Sequence, residues 1–331
     1  MTHLRRLLSR EYAGLLGALL GLVIFFGLQS DYFWSALTLT TLANQIPSLT
    51  VIAVGMTFVL IIGGIDLSVG SVMALGAAVL GVALVELQLP LWLAGLMCLA
   101  TGLLCGCVNG FVVTRWSVPS FIVTLGMLEM ARGGAYLVTD SQTLYIGSAV
   151  GSIGSPLPGI NLSPALLLTV LVVIGAQVLL RRSIFGRYMI AVGSNEEAVR
   201  LAGIDVARIK LAVFCLAGLL AGLGGLFQVG YLQSADPNAG IGLELSAIAA
   251  VVIGGTSLSG GKGSVVNTFL GVLIIAVLQT GLAQIGASEP SKRVITGLVI
   301  ITAVILDVYR NREGGVGAYL RRFYRSFSSG S

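Results

Sequence analysis

The sequence is short of charge. Of 331 residues, 19 are Lys or Arg and 14 are Asp or Glu, 10% together, against about 25% in soluble proteins. A soluble globule has more surface than so few charges cover. A cytosolic enzyme, a disordered tail and a nucleic-acid binder are therefore excluded, despite an isoelectric point near 9.2. Histidine is all but missing: His3 is the single copy, so the chain cannot assemble a His-based metal site or catalytic triad. The four cysteines, Cys98, Cys105, Cys107 and Cys215, lie in apolar runs, and Cys105-Gly106-Cys107 lacks the two-residue gap of a redox or zinc motif. They read as small buried hydrophobes, and no metal site is expected. Phosphate-binding signatures are missing as well. Gly261-Lys262 is the nearest approach to a Walker A motif, but Thr256 stands where its first glycine belongs and Gly263 replaces the Ser or Thr after the lysine. No G-x-S-x-G elbow occurs. Hydrolase and metalloenzyme readings fail on these absences. If the chain drives work, the energy comes from an ion gradient or from a partner's ATPase.

What is present in excess is apolar surface and glycine. Hydrophobic residues make up 56%, and mean hydropathy is +0.98. Glycine contributes 45 residues, about twice its ordinary share, with no collagen-like period. The combination predicts an all-α polytopic membrane protein. Crossing about 30 Å of hydrocarbon takes about 20 apolar helical residues. Ten candidate spans follow: 13–29, 42–62, 68–87, 91–114, 118–138, 164–180, 210–230, 243–258, 264–285 and 294–307. Glycine-rich breaks interrupt the third and eighth. Arg5, Arg6 and Arg10 before the first run resemble the start of a signal peptide, but no small-x-small cleavage site follows, and the segment is expected to remain as a helix. Sixteen of the 19 basic residues fall on one side of this arrangement; Arg132, Lys292 and Arg293 do not. The positive-inside rule then puts both termini and the 181–209 loop in the cytoplasm. The expected organisation is a cytoplasmic tail (1–12), a transmembrane domain (13–307) and a basic cytoplasmic tail (308–331). Glycines four apart, Gly17/Gly21, Gly102/Gly106/Gly110 and Gly218/Gly222, are expected to let helix backbones approach.

Residues 62–70 and 253–261 share the pattern I-G-G-x-x-L-S-x-G. Paired glycine breaks in two halves point to broken helices lining a path, so Gly63, Gly64, Asp66, Ser68, Gly254, Gly255, Thr256 and Ser257 are candidate path residues. The alternative is two tight cytoplasmic turns with Ser as helix cap. Asp66 is either a functional carboxylate at membrane depth or a cap for the helix starting near Ser68. Glu129 and Arg132, three apart, are expected to form a structural ion pair. Glu244, at the outer end of the eighth span, suits a helix N-terminus or an outer mouth. In the long polar loop, Asn195 is a good N-cap, Glu196 and Glu197 suit a first turn, and Gly203 is a stop. Ala198, Leu201 and Ala202 share one face of that short helix, which suits docking into a partner's groove.

Five stretches carry a family resemblance. They are "AVGMTFVLIIGGIDLSVGSVMAL" (53–75), "VPSFIVTLGML" with Arg132-Gly133 (118–133), "FGRYMIAVGSNEEAVRLAGI" (185–204), "ELSAIAAVVIGGTSLSGGKGS" (244–264), and the apolar end closing on Asp307. The chain resembles the membrane permease subunits of ribose-type carbohydrate ABC importers, relatives of branched-chain amino-acid permeases. The resemblance implies a second permease chain, identical or paralogous, a cytoplasmic ABC ATPase that binds ATP and Mg, and a periplasmic sugar-binding protein. It implies a multi-pass protein of the bacterial inner membrane with no cofactor and no catalysis of its own. It places the ATPase-coupling helix on Asn195 to Ile204, with Asn195, Ala198, Gly203 and Ile204 matching. One departure is Ser246, where the family commonly has an acid in E-L-D-A. The residues alone leave an ion-coupled secondary transporter and a channel or scaffold as competing readings. Alternating access driven by the partner ATPase is the expected mechanism of the first.

Overall fold

The computed structural model describes residues 2–157, 159 and 162–311. The described residues form thirteen α-helices: α1 (Thr2–Gln29), α2 (Ala36–Ile61), α3 (Val69–Val85), α4 (Leu91–Trp116), α5 (Ser120–Val138), α6 (Gly151–Gly154), α7 (Pro164–Arg182), α8 (Ile184–Ser194), α9 (Glu196–Leu201), α10 (Val206–Leu232), α11 (Leu243–Ile253), α12 (Val265–Gln284) and α13 (Glu289–Asn311). Two short antiparallel strands, β1 (Leu144–Tyr145) and β2 (Ser234–Ala235), complete it. Each apolar segment overlaps a helix, and six of the described helices are long and apolar enough to cross a membrane. The first helix runs back to Thr2, into the stretch expected as a tail. Most of the basic tail, 312–331, lies outside the described residues.

The helices run between two ends that contacts identify. At the basic end, the Gly261 N–H donates to the Ile61 carbonyl at 2.8 Å. There too, Gln177 Oε1 accepts the first N–H of α12, from Val265, at 2.9 Å. At the opposite end, Gln284 donates to Thr38 at 2.6 Å, and Asn44 accepts the Ser163 N–H at 3.0 Å. Helix α2 is the hub: from Ile46 to Ile61 every residue is buried. It runs antiparallel to α10, with Gly55 facing Ala217 and Ile52 facing Gly224.

Glycine decides the closest crossing. A Cβ on Gly102 would sit 2.3 Å from the Gly218 carbonyl oxygen, and one on Gly106 would sit 2.3 Å from that of Phe214. The four-residue glycine rows of α4 and α10 therefore face each other, as expected of small residues packing without a hydrophobic drive in lipid. Gly17 and Gly21 depart from that expectation: nothing lies within 4 Å of a Cβ built on either. Their row is an open surface of α1 in this chain.

Among the apolar segments, the helices α3 and α11 are too short to cross without added non-helical chain. The 17 residues of α3 and 11 of α11 span about 25 and 16 Å at 1.5 Å per residue. Each follows a non-helical segment, 62–68 before α3 and 233–242 before α11. The two segments enter from opposite ends: 62–64 from the basic end, and 234–235 from the end carrying the strands. They meet inside, where Gly70 packs on the Gly240 carbonyl and the Glu244 carboxylate.

Candidate functional site

The break at 62–68 exposes backbone groups that a helix would have paired, and in a membrane each must find a partner in the protein. Two side chains of α5 supply them. Ser120 Oγ accepts the Ile65 N–H at 2.9 Å, and Thr124 Oγ1 accepts the Leu67 N–H at 3.1 Å. The Thr124 hydroxyl donates back to the Ile65 carbonyl at 3.2 Å. Asp66 is buried, and its Oδ1 accepts both the Ser68 N–H (2.9 Å) and the Ser68 hydroxyl (2.6 Å). Asn109 of α4 donates to the same hydroxyl at 3.0 Å. The Asp66 carboxylate thus serves the entry to α3. Sequence reasoning missed Ser120, Thr124 and Asn109; the available signal was a Ser and a Thr four apart on one face of an apolar helix.

The two copies of the glycine pattern do different work. Gly63, at φ +76°, and Gly64 line a cavity of about 670 Å³ at the basic end, shared with Ser117–Ser120 and with Glu196, Arg200 and Lys210. In the second copy, Gly254 packs on Asn267 and Thr268, Thr256 and Ser257 are buried, and Gly255 turns at φ +83°. These four close a turn between α11 and α12. The Ser257 N–H donates to Lys262 across it, and Ser264 caps α12. Both copies lie at the same end and touch there: a Cβ on Gly260 would be 3.0 Å from the Gly63 nitrogen. Gly193 seals that junction, since its Cβ would stand 1.8 Å from the Ile61 carbonyl oxygen.

Next to this junction the polar loop folds into α8 and α9. Ser183 caps α8 through the Gly186 N–H at 2.9 Å. Asn195 caps α9, accepting the Ala198 N–H at 3.0 Å, with Glu196 and Glu197 in the first turn. At the other end Gly203 sits at φ +80°. Its N–H donates to Arg200, and that of Ile204 donates to Val199, the paired hydrogen bonds of a Schellman stop. Val199 is buried and joins Ile204 in the core, an anchor that the sequence reading did not single out. Glu196 also faces inward: its carboxylate meets Lys210 at 2.6 Å and Arg200 at 2.9 Å. Outward lie Glu197 and Arg200 and an apolar strip of Ala198, Leu201, Ala202 and Gly203, all exposed, with Leu201 80% exposed.

A third polar group lies where the second break meets α5. The Arg132 guanidinium donates to the carbonyls of Pro237 and Ala239, the latter at 2.8 Å. This corrects the expected pair with Glu129: among the described residues no ion pair within 4 Å joins them. The unwound 236–242 segment offers carbonyls that a half-buried guanidinium satisfies, and i, i+3 spacing alone did not foresee that competition. Tyr136 Oη donates to Asn238 Oδ1 at 2.6 Å. Glu244 opens α11, whose cap residue Gly242 is at φ +82°.

Comparison with known proteins places this architecture. The family model described as branched-chain amino acid transport system / permease component matches residues 38–304. The chain is 39% identical over 297 residues to the ribose import permease protein of Escherichia coli (strain K12), covering 88% of this chain and 91% of that protein. It is 33% identical over 307 residues to the fructose import permease protein of Rhizobium meliloti, covering 87% and 82%. It is 36% identical over 267 residues to the L-arabinose ABC transporter permease protein of Azospirillum brasilense, covering 79% and 77%.

Proposed function

Because the chain belongs to the family of the branched-chain amino acid transport system permease component, we infer that its task is to form the membrane path of a sugar importer. It is the permease subunit of a sugar ABC importer and a multi-pass membrane protein. The three relatives are named for two pentoses and a hexose, which favours a monosaccharide as cargo. Ten crossings in the bacterial inner membrane, with both termini and 181–209 in the cytoplasm, fit helices that alternate between a basic and an opposite end.

The observation that carries coupling is α9. A six-residue helix is too short to hold itself in water, yet this one is capped at both ends, anchored by Val199 and braced by Glu196 on Lys210. Beside the exposed charges of Glu197 and Arg200, that scaffold presents outward an apolar strip: Ala198, Leu201, Ala202 and Gly203. An apolar side chain as exposed as Leu201, on the polar side of a membrane, suits a groove on another protein. Its partner is a cytoplasmic ABC ATPase, which binds the ATP and Mg. A second permease chain completes the path, and a periplasmic binding protein delivers the sugar. ATP-driven closure of the ATPase dimer moves the α9 pair, and the path alternates between its two faces. Gly63 and Gly64 border its inner side, while Asp66, Ser68 and the 254–257 turn support it.

Reconstitution in proteoliposomes tests this reading. Sugar uptake should require the ATPase, ATP and the loaded binding protein together. Uptake driven by an ion gradient without the ATPase would establish the secondary-transporter alternative instead. Downhill flux without any partner would establish a channel.

A further inference from the structure

The middle of α5 carries a charge that the protomer leaves uncovered. Glu129 is exposed, midway along a helix long and apolar enough to cross the membrane. A carboxylate at that depth is costly against lipid and faces water or protein. The surface around it is open: one turn to either side, Gly126 and Gly133 have nothing within 4 Å of a Cβ position. Further hydrogen-bonding groups stand along the same edge. Arg132 is fixed by two carbonyls, which occupy part of its fork of donors. Tyr136 and Asn238 hold each other at 2.6 Å, and Asn238 is exposed. Glu244, in the first turn of α11, is half-buried where the two breaks meet. Carboxylate, guanidinium, phenol and amide thus alternate along one face, beside glycines that leave room.

We propose that Glu129, Arg132, Tyr136, Asn238 and Glu244 form a transient binding station for a neutral polyhydroxylated solute on the outer part of the translocation path. Such a solute offers adjacent hydroxyls, each both donor and acceptor, and a set containing both fixed donors and fixed acceptors matches it. A carboxylate spans two neighbouring hydroxyls, while Arg132 and Asn238 present donors to ring or hydroxyl oxygens. The station rests on the permease reading above and refines it, placing selectivity within the membrane subunit as well as in the binding protein.

The test uses the assembled transporter in lipid nanodiscs, with the four native cysteines replaced. Gly133→Cys on the polar face is compared with Gly175→Cys, which is equally open but lies on the apolar exposed face of α7. A charged, water-soluble methanethiosulfonate should modify position 133 at least tenfold faster than position 175. Equal rates would show lipid on both faces and overturn the proposal. A disulfide between two copies at position 133, without labelling, would show a partner helix there and overturn it as well. In the native-cysteine transporter, Glu129→Gln and Asn238→Ala should change the ratio of D-ribose to D-fructose uptake from an equimolar mixture by at least threefold. An unchanged ratio with fast labelling would leave a wet path without recognition, and the station would be abandoned. Failure of the unsubstituted transporter to take up any sugar with ATP would instead refute the importer reading, independently of the labelling rates.

Discussion

Gly203 isolates the backbone geometry of α9 from its surface chemistry. The residue sits at φ +80°, and a Cβ added there meets nothing within 4 Å. Gly203→Ala therefore adds no clash; its cost is conformational, about 1–2 kcal/mol for an L-residue in the left-handed region. Asn tolerates that region through its short polar side chain, so Gly203→Asn should recover most of the loss. The cost falls on a six-residue helix that depends on its stops, so it appears as a local equilibrium between the capped and frayed loop. One to two kcal/mol shifts such an equilibrium by about 5- to 30-fold. That is the upper bound for weakening of the ATPase complex, because binding draws on the capped form alone. Titration of the ATPase onto the permease in nanodiscs should give an apparent Kd raised within that range for Ala and by less than about threefold for Asn. Trypsin cleavage at Arg200 and Arg208 without partner should accelerate in the same order. Detergent melting of the whole permease should not move, since the loop unfolds locally. Wild-type affinity and proteolysis in the Ala variant would refute the reasoning. Equal damage from Ala and Asn would mean that the partner needs the bare glycine surface rather than the backbone angle.

Three further outcomes follow from the packing. Gly102→Ala or Gly106→Ala drives a methyl to 2.3 Å from a carbonyl oxygen of α10 and should cost about 1–3 kcal/mol, seen as lower yield and melting temperature, whereas Gly175→Ala, in open space, should not destabilise. Asp66→Ala strips the acceptor from the buried Ser68 N–H and hydroxyl and should destabilise by about 1–3 kcal/mol; Asp66→Asn keeps one oxygen and should melt closer to wild type, and an unchanged melt for Ala would contradict the role given to the carboxylate. Cys107 and Cys215 have their sulfurs 2.8 Å apart across α4 and α10, so copper phenanthroline should link them in membranes, as peptide mapping would detect; a failure to link would put the register of those two helices in error.

Where physics is local, the sequence was legible. Apolar run length located helices, six of them long and apolar enough to cross a membrane, and the cap residues Asn195 and Gly203 marked both ends of α9 to the residue. Glycines four apart on α4 and α10 signalled a close crossing because a missing Cβ is itself the contact. Gly17 and Gly21 show the limit of that rule: the spacing makes a flat surface but does not supply the helix that lies on it. The repeated glycine pattern was visible, yet its two copies sit at one end, one opening into a break and the other closing a turn. The break that mirrors 62–68 is 233–242, which enters from the other end and shares none of the pattern. Inverted entry is a property of chain direction, and residue identity does not encode it. Arg132 was misassigned for a related reason. Helical spacing names the neighbours on its own helix, while the acceptors it found belong to unwound backbone about a hundred residues away.

Segment 62–70 is the element that the two proposed functional regions share. Its basic end follows the Ile61 carbonyl, against which Gly193 is pressed with no room for a methyl. Gly193 lies at the end of α8, and one residue, Asn195, separates α8 from α9. Its inner end, Gly70, packs on Gly240 and Glu244, at the start of α11. Between them Ser120 and Thr124 tie it to α5, the helix that carries Glu129, Arg132 and Tyr136. A push on α9 thus meets backbone against backbone at Gly193, and close-packed contacts of that kind shift as units instead of absorbing the displacement. The freed N–H groups of Ile65 and Leu67 are held by side-chain hydroxyls, which can exchange partners with less loss than a helical ladder of backbone bonds. That combination, a rigid glycine contact at one end and exchangeable hydroxyl bonds along the break, supports 62–70 as the moving link between the proposed docking helix and the proposed outer polar station.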